Sequence, residues 1–400
     1  MPGPFAISDR VTLGFKPELT AAYGVIVATG NNYALRFMSE SMKANLKTVQ
    51  SMEITGDRQI RDVIPVDLDT GGDIAAEWSY GEYDQLLAYA LGSTFGNLAG
   101  ITGDTGVITV TISAVNTITA STGTPFVNMV PGQWFRMSGM VNAANNNIFQ
   151  IATVTSTVIT TVATLINEVA TATAKFQAGR CSNGTGIPTF TMERKNGDLT
   201  QFEALRGCAV SNLAIAYKAG AIVSATFTLM GKNAAPMQGA TNLPGTITAS
   251  LTNTVMNAVS NVGFITEGGA ALTSTYFQSL DIKIATNLRM LKGIGNLGPV
   301  GLQVGDFDAE ITFAGYLADA SLYNKYLNNT PTSLSLRMTD AAGQAYILTF
   351  PYGKYQTAQR PTGGKNQDII LGANFQALKD PVTGVSMIID RCGAAVTAWV

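Results

Sequence analysis

The chain has 400 residues, 46% of them hydrophobic and only 13% charged, with a formal net charge of -2 and no histidine. That composition builds folded cores and not a disordered chain, and it argues against a basic protein that holds phosphates through clustered Lys and Arg. Without histidine, Ser-His-Asp and Cys-His nucleophile systems and most zinc sites are excluded.

The length suits two or three domains. Cys181, Cys208 and Cys392 show no metal-ligand spacing, and their odd number fits a reducing compartment better than a disulfide framework. The opening MPGPFAISDR lacks a basic start followed by an apolar core, so no secretory signal is expected. No apolar run approaches the roughly 20 residues of a membrane span. So few charges on a soluble chain imply that neighbours cover much of its surface.

In chain order, residues 1–45 read as an N-terminal arm. Ser51-Met52-Glu53-Ile54 reads as a strand, followed by GDIAAEW at residues 72–78. In GDIAAEW, Asp73, Ala75 and Glu77 alternate with Ile74, Ala76 and Trp78, the period-two mark of a strand with one wet and one dry face. Tyr83, Leu86, Leu87, Ala90 and Leu91 then fall at helical spacing, with Gly92 as the stop. Residues 101–179 are rich in Thr, Val, Ala and Asn and almost free of charge, which reads as a small all-β domain inserted into a loop. Three strands are expected next, near residues 189–194, 205–217 and 221–229, the last two joined by a tight turn at Ala219-Gly220.

The pattern then returns. Ser279-Leu280-Asp281-Ile282 resembles the segment at Ser51, with Arg61 and Arg289 each ten residues after the serine. GDFDAEI at residues 305–311 matches GDIAAEW in kind at six of seven positions. Asp319 is placed to cap a helix with the stripe Leu322, Tyr323, Tyr326 and Leu327. Strands are expected near residues 334–338, 346–355 and 369–378. Duplication on this scale predicts two homologous domains, one made of residues 46–100 and 180–235 and the other of residues 236–400.

Several motifs invite sharper readings. The paired carboxylates Asp73/Glu77 and Asp306/Glu310 could serve glycosidase chemistry, but a catalytic pair is rarely duplicated. The bland alternative for the acidic faces is the solvated outside of an ordinary sandwich. Gly293-Ile294-Gly295-Asn296-Leu297-Gly298 fits GxGxxG, yet the next element reads as a strand and not a helix. A loop tip between strands is therefore expected, able to reach a neighbouring subunit layer. Trp78 and Trp134 read as core aromatics.

Taken in order, LRFMSES at residues 35–41, SMEITGDRQIRD, GGDIAAEWSYGEYDQLLAYALGS, the inserted VPGQWFRMSG with NNNIFQI, and FTMERKNGDLTQFEALRGCAV onward to Asn233 resemble one family. It is the major tail tube proteins of long-tailed, siphovirus-like bacteriophages, in their large version. The resemblance implies a mainly β fold of two tail-tube sandwich or barrel domains, each with a short helix, and an inserted β domain on the tube exterior. It implies a non-enzymatic subunit without cofactor or metal, assembled in the host cytoplasm into trimeric, pseudo-hexameric rings that stack into the virion tail. Its partners would be itself, a tape-measure protein, tail-end proteins and double-stranded DNA that passes without specific binding. Glu53, Asp73, Glu77, Asp281, Asp306, Asp308 and Glu310 are then expected to face a negative lumen that repels phosphate. The alternative is another self-assembling β-rich tube or surface appendage.

Overall fold

A computed structural model describes residues 5–18, 23–54, 56–57, 59–97, 109–171, 174–272 and 276–393. The chain is mainly β, with two short helices, Asp84–Ala90 and Ser321–Leu327. Most strands join one large mixed sheet, and a separate curled sheet has seven strands.

Part of the large sheet is a continuous antiparallel wall. Its eight strands run, side by side, Lys43–Gln50, Val63–Glu77, Ser224–Gly231, the second half of Gln201–Lys218, Phe277–Ala285, Asp308–Tyr316, Ile370–Ala377 and the second half of Ala345–Gln359. The first four and the last four come from the two halves of the chain and are threaded in the same order. Helix Asp84–Ala90 packs on Gln201–Lys218, and helix Ser321–Leu327 packs on Ala345–Gln359.

Two of the three longest strands each serve two layers. Gln201–Lys218 pairs with Phe190–Asn196 as far as Cys208 opposite Phe190, bulges at Ser211, and from Asn212 joins the wall. Ala345–Gln359 pairs with Thr332–Thr339 as far as Gly353 opposite Thr332, bulges at Gln356, and continues in the wall. A bulge adds a residue on one side and sharpens the local bend, which lets one strand pass between layers. Val11–Pro17 extends the outer layer beside Phe190–Asn196, and Val262–Glu267 extends it beside Thr332–Thr339.

The core lies between wall and outer layer, and one contiguous cluster runs through both halves. Ile74, Ala76 and Trp78 point into it from the first repeated segment; Ala309, Ile311 and Phe313 point into it from the second strand of that kind. Trp78 meets Tyr346 edge-on at 5.6 Å between ring centroids. Leu86 and Leu87 are fully buried, each contributing about 1.5–3 kcal/mol by removal from water. Before the second helix, Asp319 Oδ1 accepts a hydrogen bond from Ser321 N at 2.8 Å, but the cap position is held by Ala320, which makes no side-chain cap, so Asp319 sits one residue ahead of the expected place.

The curled sheet spans Val110–Ser113 to Lys175–Gln177, in the order Glu168–Thr171, Val110–Ser113, Thr117–Ala120, Val158–Thr161, Ile148–Val154, Trp134–Ser138, Lys175–Gln177. It closes over its own core, including Ile118, Phe135, Ile159 and Phe176. It is docked on the outer layer. Along Ala345–Gln359, Tyr346 and Leu348 face the main core, while Ala345 and Ile347 face Ile148 of the curled sheet. Trp134 stacks on Phe264 at 5.2 Å between centroids, so this tryptophan is a docking contact and not interior core. The order from one surface to the other is therefore wall, core, outer layer, curled sheet.

Two ion pairs, one buried and one half-buried, tie distant segments. Asp390, fully buried, receives Arg180 Nε at 2.7 Å and Arg180 Nη2 at 2.8 Å, with Trp134 N at 3.2 Å. Asp84, at the start of the first helix, receives Arg391 and the Tyr346 hydroxyl from the last third of the chain.

All three cysteines are buried, and burial pushes the Cys181 and Cys208 thiols up to about 12 and raises Cys392 likewise. The nucleophile is the thiolate, so folded protein at pH 8 should resist alkylation. Iodoacetamide is expected to add nothing to the native chain and three groups after unfolding in guanidinium, read by intact mass. Rapid native labelling would contradict the burial.

Candidate functional site: a polar sheet face and two open edges

The wall has two unlike faces because its strands alternate strictly. Opposite the core, successive strands present Lys43, Asn45 and Lys47; Asp67, Asp69, Asp73 and Glu77; Ser224, Thr226 and Thr228; Asn212, Ala214 and Lys218. The second half continues with Ser279, Asp281 and Lys283; Asp308, Glu310 and Thr312; Gly372, Asn374 and Gln376; and Lys354, Thr357 and Gln359. This face is polar, small in side chain and open.

Of the carboxylates expected on one surface, Asp73, Glu77, Asp281, Asp308 and Glu310 do share this face. Thr228 Oγ1 donates to Asp73 at 2.6 Å, Gln376 Nε2 donates to Asp308 at 2.6 Å, and Asn374 donates to Glu310. These cross-strand bonds hold the acids flat along the sheet.

Two expected positions are corrected. Glu53 is not on a wall strand: the ladder ends at Gln50 opposite Val63, and Ser51 to Ile54 lie in the connection beyond it. There Glu53 pairs with Arg61 at 3.3 Å, and Met52 and Ile54 project into solvent at 91% and 99% exposure. Thr55, expected beside them, lies outside the described residues. Asp306 precedes the strand Asp308–Tyr316, and its carbonyl accepts from Asn287 Nδ2 at 2.8 Å.

The two heptads are also out of step. Glu77 ends its strand, whereas Glu310 is the third residue of Asp308–Tyr316, a displacement of six residues along the strand. An even displacement keeps each side chain on its face, which is why the alternation misleads about register but not about sidedness. The partner of the Ser279 strand in the first half is accordingly Ser39–Glu40 with Lys43–Gln50, not Ser51–Ile54.

Sequence reading misses Asp67 and Asp69, although Val66-Asp67-Leu68-Asp69 alternates as clearly as GDIAAEW. Lys283 is expected beside Asp281 on this face, but sequence reading misses Lys43 and Lys47. Lys47 lies 3.2 Å from Asp67 and 3.5 Å from Asp69, and Lys292 reaches Asp67 from the small hairpin Arg289–Leu291/Gly301–Gln303. The hydrogen bond from Lys292 holds the Asp67 carboxyl below its usual range, and Asp67 in turn raises Lys47. The face is mixed, with acids in modest excess. Gly293–Gly298 is the tip of that small hairpin, a loop between strands as the sequence predicts, with Ile294 fully exposed.

Among the described residues, the wall has two unpartnered edges. Lys43–Gln50 pairs only toward Val63–Glu77. At the far end, the stretch of Ala345–Gln359 beyond Gly353 pairs only toward Ile370–Ala377. Open edges of this length are interfaces or hazards.

The wall thus combines one polar face with two open ends. A family model described as "Phage tail tube protein" matches residues 8–377, nearly the whole chain. The chain belongs to the phage tail tube protein family. It is a structural, non-enzymatic component of the virion tail, and tail tube subunits self-assemble. The carboxylate pairs of this tail tube protein are therefore not a glycosidase site. No curated protein matches the chain.

Proposed function

We infer that this tail tube protein is the large, duplicated version found in long-tailed, siphovirus-like phages, and that its polar face lines the channel for DNA. The observation that carries this reading is the eight-stranded wall, four strands from each half, threaded in the same order. Two homologous domains account for that order: residues 46–100 with 180–235, and residues 236–400. Three chains then supply six domains to a ring of pseudo-six-fold symmetry. Such a barrel of roughly 24 strands, at about 4.8 Å spacing and a tilt near 40°, has a backbone diameter of roughly 48 Å. Side chains leave roughly 38 Å, ample for a duplex.

The layer order supports placing the inserted residues 101–179 outside the tube, since the curled sheet sits on the far side of the outer layer from the polar face. Stacked rings would form in the host cytoplasm around a tape-measure protein, end on tail-end proteins and later pass the genome without specific binding. Mixed charge with acids in excess favours sliding: carboxylates repel phosphate, and two of the lysines, Lys47 and Lys292, are held beside Asp67 and Asp69.

End-on images of assembled rings test the stoichiometry. Three-fold averages with two unequal lobes per repeat are expected. True six-fold rings with one chain per repeat would overturn the three-chain reading.

A further inference from the structure

The interior of the chain contains a worked example of the seam that its two open edges lack. Between the halves, Asn212 pairs opposite Ala285, and pairing continues to Lys218 opposite Ser279. Just before it, Thr286 N donates to Ser211 O at 3.0 Å, across the bulge. The second half repeats every feature of the donor strand: Thr332 opposite Gly353 matches Phe190 opposite Cys208, and the bulge at Gln356 matches that at Ser211. Gln356 onward therefore corresponds to Ser211 onward, but among the described residues no strand pairs with its outer edge.

The acceptor is found by stepping across the wall. From the matched bulges, Thr228 corresponds to Asn374; their neighbours are Asp73 and Thr312; beyond these lie Ser41 and Asp281. Ser39 to Asn45 thus stands where Ser279 to Ala285 stands. Lys283 and Lys43 fall at the same place, opposite Glu310 and Gly71.

Resting on the ring reading above, we propose that the edge after Gly353 of one chain adds, antiparallel, to the Lys43–Gln50 edge of the next copy, with Thr357 opposite Asn45 and Gln359 opposite Lys43. Leu46 takes the place of Thr286, its N–H reaching the Gln356 carbonyl across the bulge. Leu46 is 56% exposed in the single chain. Beside the empty edge lies an open groove of about 510 Å³ lined by Tyr326, Leu327, Lys354, Tyr355, Gln356 and Leu378. Its apolar members Tyr326, Leu327, Tyr355 and Leu378 offer Leu46 a seat beside polar Asn329, Lys354, Gln356 and Gln376, and Leu327 and Leu378 are themselves exposed in the single chain. The contact is head-to-tail, so repeated addition closes a ring and leaves no free edge.

Cysteine pairs read the register. Directly opposed residues have Cα atoms about 4.5–5.5 Å apart, within disulfide reach, whereas a two-residue slip gives about 7–8 Å. Rings of Asn45→Cys/Thr357→Cys, oxidised after assembly, should show at least 10-fold more inter-chain cross-link than Lys43→Cys/Thr357→Cys or Lys47→Cys/Thr357→Cys. Preferential cross-linking of either slipped pair, or none in assembled rings, overturns the seam while leaving the tube reading standing. Cross-linked ladders extending beyond three chains would keep the seam and refute the three-chain ring. As a second variant, Leu46→Glu should keep the melting temperature of the single chain and lose ring assembly; assembly at the wild-type level also overturns the proposal. Wild-type protein that never forms rings would instead count against the tube reading itself.

Discussion

Phage carrying Asp73→Lys, Glu77→Lys, Asp308→Lys and Glu310→Lys together are expected to build tails of normal length and to lose infectivity by about 100-fold or more. All four side chains lie on the polar face of the wall, at exposed or half-buried positions, and none contributes to the core. Folding should therefore survive, because surface changes away from packed features typically alter stability by about 0.5 kcal/mol or less each. The electrostatic change is large. Each chain gains roughly eight units of positive charge, repeated at every ring, so a sliding duplex meets a continuous ladder of phosphate contacts. Affinity of that kind comes from counterion release and falls steeply with salt, so high ionic strength should partly restore DNA exit in vitro. The neutral set, Asp73→Asn, Glu77→Gln, Asp308→Asn and Glu310→Gln, separates charge from shape and should cost much less. Plaque yield and DNA release from purified particles give the readout. Normal delivery through lysine-bearing tails would remove this face from the channel.

Arg180→Met is expected to be the most damaging single change outside the wall, lowering stability by about 3–5 kcal/mol. Asp390 has no exposed surface, and Arg180 supplies two of its hydrogen bonds and its counter-charge. Removing the guanidinium strands a carboxylate in the interior with only the Trp134 N–H as donor. The effect also depends on pH. Burial raises the Asp390 carboxyl above its ordinary value, and Arg180 opposes that rise. A carboxyl raised on folding binds its proton more tightly in the native state than in the unfolded chain. Native stability is then greatest below the unfolded value and declines as pH rises through the raised one. Loss of Arg180 lifts the folded value further, so the deficit should be largest near neutrality and shrink under acid conditions. Chemical unfolding of wild type and variant across that range checks the sign. A pH-independent difference would mean that lost packing, and not stranded charge, sets the cost.

Sidedness is legible in the sequence and register is not. Period-two alternation in GDIAAEW and GDFDAEI places Ile74, Trp78 and Ile311 inside and Asp73, Glu77 and Glu310 outside, because a strand has only two faces. Nothing in that alternation distinguishes a motif from its copy displaced by an even number of residues, so Ser51 looks like the counterpart of Ser279 where Ser39 fills the role. The first helix is readable from its stripe, with Leu86 and Leu87 buried where a 3.6-residue period puts them, but of the stripe expected on the second only Leu322 is buried and Leu327 is exposed. The Asp390–Arg180 pair leaves no trace, because its partners are 210 positions apart and each looks locally like any surface charge. Trp134 reads as core because an aromatic next to Phe135 looks the same at a docking contact as in an interior.

The ties between distant segments also order events during synthesis. Ser39 to Asn45 emerges from the ribosome more than 300 residues before Thr357. At about 5–20 residues per second, that is roughly 15–60 s. Throughout that interval a nascent chain can display one edge of the seam but not the other. Gly179–Ser182 must still await Ile388–Cys392, and Asp84 must await Arg391. With the proposed seam, a subunit therefore becomes bivalent only after Cys392 has been made, which would keep shorter nascent neighbours on one messenger from polymerising.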